Sequence, residues 1–141
     1  MDGRIEGKFL VKYEEKVLLL KLYSDAVNES ILWLIKEFQL KDYSELLFNS
    51  DIPKRNDESG SKYAFHGFGC RVLTNRKIVD WDFYPQDKSF VFDLYRINRF
   101  LESIGKEIKF SDDEMKVLVQ ENVLVCRENQ LLKKVQYVFS L

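Results

Sequence analysis

The chain has 141 residues, 45% of them hydrophobic and 32% charged, which suits one packed domain rather than a disordered chain. Lys and Arg number 22 against 23 Asp and Glu, a formal net charge of -1, which argues against a globally basic nucleic-acid binder. A single domain over 1–141 is expected, with helices over 1–48, a mobile loop over 49–61, and a sheet with further helices over 62–141.

Residues 1–8 are charged and lack the apolar core of a secretory signal. The apolar runs 17–20 and 31–35 fall far short of the ~20 residues of a membrane span. Leu10, Tyr13, Val17 and Leu20 recur at three- and four-residue steps and predict a helix. Ile31, Leu34, Ile35 and Phe38 repeat the pattern after an expected break near Ser24-Asp25, and Tyr43 to Phe48 adds a turn. Residues 49–61 contain Pro53 and Gly60 and few large apolar side chains, so they read as a loop.

After this loop the composition changes: residues 61–100 hold ten of the twenty aromatics. Residues 63–74 and 78–84 read as strands, and Phe90-Val91-Phe92 as a third, short one. Asp93 fits an N-cap for a helix with Leu94, Ile97, Leu101 and Ile104 inward, closed by Gly105. Ser111 with Glu114 fits a capping box before a second helix. Residues 123–126 and 131–139 read as a C-terminal hairpin. The expected class is α+β: N-terminal helices, a central antiparallel sheet of about three strands, two further helices and the hairpin.

Strand alternation predicts a register. If Asn75-Arg76 form the turn, Val72 faces Val79, Arg71 faces Asp80, Cys70 faces Trp81 and Phe68 faces Phe83. His66, Phe68, Cys70, Val72, Val79, Trp81 and Phe83 then share one face; Gly67, Gly69, Arg71, Asp80 and Asp82 share the other. A one-residue slip would mix the two sets.

This arrangement limits the chemistry. On one regular strand His66 and Cys70 lie ~13 Å apart, too far for a catalytic dyad. There is no second histidine for a two-His metal site, no third glycine for a dinucleotide fingerprint and no Walker A sequence, so no cofactor or metal is expected. Cys70 and Cys126, far apart and outside any CxxC, read as buried small hydrophobes of a cytoplasmic protein.

Asp80 and Asp82, ~7 Å apart on one strand face, suit a hard cation or an acid/base pair. Their structural reading is that Asp80 pairs with Arg71 across the ladder and Asp82 is solvated or capping. Residues 80–93 carry four aspartates and one lysine, interleaved with five aromatics. Such a surface suits a basic protein partner, with Asp80, Asp82, Tyr84 and Asp87 as the contact residues. Arg127 with Lys133-Lys134 makes a small basic patch on the hairpin, wing-like but without a basic recognition helix.

The segments with Tyr63, Phe65, His66, Gly67, Gly69 and Cys70, then Val79, Asp80, Asp82 and Phe83, then Phe92, Asp93, Tyr95 and Arg96, resemble a bacterial family of uncharacterised small domains. The resemblance covers roughly residues 60–105; the family's Gly after Asp-Phe is Tyr84 here. Members of such families are similar to immunity proteins of contact-dependent or polymorphic toxin systems. No established activity comes with the resemblance; taken with the chain's size, the lack of a catalytic constellation and the acidic aromatic surface, it makes the expected function that of a non-enzymatic immunity protein that neutralises a basic toxin domain by direct binding. The resemblance transfers no catalytic residue; no cofactor and no membrane contact are expected, and the oligomeric state is open. The alternatives are a small hydrolase using His66 with Asp80 and Asp82 and, weaker, a DNA-associated module.

Overall fold

The computed structural model describes residues 3–48, 62–66, 69–74, 77–84, 89–129 and 134–139. It has the expected α+β class. Helix α1 (Gly3–Phe38) leads to α2 (Tyr43–Phe48), then to strands β1 (Tyr63–His66), β2 (Gly69–Thr74), β3 (Lys77–Tyr84) and β4 (Ser89–Val91). Helices α3 (Leu94–Ser103) and α4 (Asp112–Gln120) follow, then β5 (Leu124–Asn129) and β6 (Lys134–Phe139). The 49–61 loop lies outside the described residues.

The first departure from expectation is α1, which runs without a break through Ser24-Asp25. No Pro or Gly follows Gly7 in this helix, and Asp25 faces solvent, so nothing there removes a backbone bond. The buried stripe continues across the expected break through Leu20, Tyr23, Val27 and Leu34. At its start Lys16 is buried: its ammonium lies 3.0 Å from a Glu114 carboxylate oxygen, donates to the Lys109 carbonyl and sits 4.7 Å from the centre of the Phe110 ring. One lysine thereby ties α1 to the start of α4.

The second departure is in the sheet. The stretch 63–74 forms two strands, not one, because β1 pairs antiparallel with β2 and the chain reverses between His66 and Gly69. The sheet therefore has four strands, in the order β1-β2-β3-β4. Between β2 and β3 the expected register is observed: Cys70 pairs with Trp81, Arg71 with Asp80 and Val72 with Val79. The expected Phe68–Phe83 pair and the Asn75-Arg76 turn fall outside the described residues.

Partners across neighbouring strands share a face, so Tyr63, Phe65, Cys70, Val72, Val79, Trp81, Phe83 and Phe90 form one apolar side. The end of α1 covers it, with Phe38 5.3 Å from the Tyr63 ring and 6.0 Å from the Phe65 ring. The opposite side is covered by α3. Both faces being covered, Val79, Asp80, Trp81, Asp82 and Phe83 are all buried in succession.

Asp93 caps α3 by accepting from the Arg96 N–H at 2.9 Å. A Schellman closure ends the helix, with Lys106 N–H bonded to the Leu101 carbonyl and Gly105 at φ +80, which favours glycine. The Ser111–Glu114 capping box starts α4. The hairpin β5–β6 joins the four-stranded sheet through paired bonds between Phe92 and Tyr137, at 3.0 and 2.8 Å. Cys70 is buried as expected; Cys126 is exposed, because it lies on β5, which among the described strands pairs only with β6.

Candidate functional site

The row of side chains on the α3 side of β3 is the natural place to look for chemistry. A strand advances ~7 Å every two residues, and a helix advances ~5 Å every three or four. Helix α3 runs antiparallel over β3, so Arg96, Arg99 and Ser103 meet Asp82, Asp80 and Ile78 in turn. Gln136 reaches the same row from β6, held there by the Phe92–Tyr137 bridge.

The pairing within the row is dense. Asp80 accepts from Arg71 Nε at 2.9 Å, and Arg99 Nη1 lies 3.9 Å away. Asp82 accepts from Arg96 Nη2 at 3.1 Å and from Gln136 Nε2 at 2.7 Å. The second arm of Arg96 donates to Asp93 at 2.7 Å. Three carboxylates thus meet three guanidiniums. Beneath them the buried Tyr23 hydroxyl donates to the backbone carbonyl of Asp80; burial, reinforced by the Asp80 charge, pushes its pKa well above the ordinary tyrosine value.

This geometry decides what the two aspartates do. Asp80 is 2% exposed and Asp82 6%. A general base or a partner-contacting carboxylate needs access and an unengaged lone pair. Here both carboxylates serve as acceptors inside the fold, so a partner docking on the described surface does not reach them. The expectation that they form a partner-facing acidic surface is thereby corrected. The cause is α3, whose arginines fold over a strand face that the alternation pattern leaves open.

A further correction concerns His66. Its backbone pairs with Gly69, which in turn pairs with Asp82, so its register position is in line with Asp82 and not, as expected, with Val79 and Trp81. The two-strand reversal at 66–69 changes its parity. The His66 side chain lies outside the described residues, as do the Tyr84 side chain and Asp87. The hydrolase reading needs His66 together with a free aspartate, and both aspartates are engaged. Among the described residues no cluster of His, Cys, Asp or Glu is arranged to hold a metal ion. For the DNA reading, the helix before the hairpin, Asp112–Gln120, carries a single lysine and no arginine, so it is not a basic recognition helix. Among the described residues no helix is long and apolar enough to cross a membrane.

A second feature, unmarked by any motif, is a groove of about 770 Å³ between α3, the start of α4 and β6. Tyr95 stands at its rim, 66% exposed, and Val135 on β6 is 52% exposed. The Tyr95 hydroxyl accepts from Arg99 Nη1 at 3.2 Å. The Tyr137 hydroxyl in the wall is raised in pKa by burial, then by Cys126 and Asp112. The sequence signals for this groove were an aromatic on the outer side of α3 and a valine out of phase with burial on the hairpin; neither identifies a groove until the elements are packed.

A family model described as a domain of unknown function (DUF6896) matches residues 17–138. No curated protein and no solved structure matches the chain.

Proposed function

We propose that this chain, which belongs to the DUF6896 family, is a non-enzymatic protein-binding module, acting as an immunity protein that neutralises a bacterial toxin domain by direct association. The observation that carries this reading is the contrast between an ionic row closed on itself and an open groove with an exposed tyrosine. The residues best suited to acid/base work are consumed in holding the sheet to α3 and β6. What remains accessible is a concave surface with a rigid aromatic at its edge, the kind of residue that anchors protein interfaces. The sequence resemblance to immunity proteins supports the same reading.

The test is co-purification of the chain with the product of the gene next to its own, followed by titration of the purified pair. A complex at micromolar concentration or tighter, with loss of the neighbour's toxicity, is the expected result. No complex at that concentration rejects the reading. Hydrolytic turnover by the isolated chain that disappears in Asp82→Asn would replace it with catalysis.

A further inference from the structure

The groove has a charge character that its gross composition conceals. Its lining includes Asp93, Glu102 and Asp112 against Arg99, Lys109 and Lys134, an apparent balance. The carboxylates are not equally available. Asp93 is spent on the N–H and guanidinium of Arg96. Asp112 sits in the first turn of α4, where the positive end of the helix dipole offsets its charge. Glu102 alone is an exposed carboxylate without such compensation.

On the other side, Lys109 and Lys134 are exposed, and neither ammonium has an ion-pair or hydrogen-bond partner among the described residues. Their backbones are held in place. The Lys109 carbonyl accepts from buried Lys16, and Lys134 is laddered to Asn129. Two unspent cations, from a loop and a strand, therefore line the same groove as Tyr95 and Val135.

We infer that the groove between α3 and β6 docks an acidic segment of the protein partner, its carboxylates meeting Lys109 and Lys134 and an apolar residue packing on Tyr95 and Val135. This rests on the binding-module reading and gives the partner segment a charge opposite to the basic one expected from the aspartate-rich sequence. Complementary charge of this kind sets association rate and specificity, and the aromatic contributes the desolvated contact.

The probe is a fluorescein-labelled glutamate-rich peptide containing leucine, with a lysine-rich counterpart, followed by anisotropy with the full chain. The acidic peptide should bind, and should weaken as salt rises from about 50 to about 300 mM. Lys109→Glu with Lys134→Glu should weaken it about tenfold or more, and Glu102→Gln should tighten it about twofold. Should the double reversal fail to fold by circular dichroism, Lys109→Gln with Lys134→Gln gives the same direction with a smaller loss.

Preference for the lysine-rich peptide, or indifference to the charge changes, overturns the assignment. Full competition by pyrophosphate at the peptide's own concentration also overturns it, in favour of a small-anion site. A complex with the neighbouring gene product that survives the double reversal at unchanged affinity removes the groove but leaves the binding reading. Acidic peptide binding without any such complex removes the immunity reading but leaves the groove.

Discussion

The ionic row under α3 and the groove beside it contain the same formal charges: three carboxylates and three cations each, with Asp93 and Arg99 shared. They behave as opposites. In the row every charge is buried or half-buried and faces a partner within 4 Å. In the groove Lys109, Lys134 and Glu102 face solvent without one among the described residues. Charge counts therefore do not separate scaffold from surface; pairing and access do. Removing one member of a buried set leaves its partner desolvated and unpaired, while removing an exposed charge costs the fold little.

That contrast can be broken by mutation, and the largest effect should come from the row. Asp82→Ala leaves Arg96 and Gln136 without their buried acceptor and should destabilise the fold by about 3–5 kcal/mol in urea titration. A loss under about 1 kcal/mol would show that the row is dispensable and reopen a functional role for it.

Lys16 is an intermediate case, since its partner Glu114 keeps some solvent contact. Lys16→Met should cost about 1–3 kcal/mol in the same titration, because the Lys109 carbonyl and the Glu114 carboxylate both lose a donor. The pair also has a pH signature. Burial raises the Glu114 carboxyl, but hydrogen bonds from Lys16 and Ser111 and the Lys16 charge outweigh it, and the net pKa is below the ordinary 4.5. A carboxyl lowered in the folded state adds stability above its unfolded pKa and loses it as pH falls through the folded value. The stability advantage of the parent chain over Glu114→Gln should thus be full at neutral pH and shrink below about pH 4.5. An advantage that grows with acid would reverse the assignment.

The smallest effects on stability should come from the groove. Tyr95→Ala, at a residue two-thirds exposed, should shift the unfolding midpoint by no more than about 0.5 kcal/mol in equivalent stability. The same change should weaken partner binding by about tenfold or more if Tyr95 is an anchor. Stability loss comparable to Asp82→Ala would place Tyr95 in the scaffold and erase the distinction between the two regions.

Much of the fold was readable in advance from particular residues. Asp93 and Ser111 marked two helix starts, because short oxygen-bearing side chains satisfy the first free N–H groups. Alternation of apolar and charged residues set the β2–β3 register, including Arg71 opposite Asp80. The candidate site was only half readable. The aspartate row was visible, but its partners Arg96, Arg99 and Gln136 lie 14, 19 and 54 positions from the aspartates they meet. The signal available for the first two was an arginine pair three residues apart on α3, beside Ile97, Phe100 and Leu101.

Local pattern by itself determined the helix caps, the strand register and the presence of two carboxylates on one strand face, because these depend on neighbours within a few residues or across one hairpin. Only the tertiary structure decided that those carboxylates are closed off, that the backbone of His66 pairs in line with Asp82, and that a groove opens beside Tyr95. Each of these follows from a helix or hairpin laid over a sheet by packing between residues far apart in the chain, and periodicity carries no record of which surface covers which.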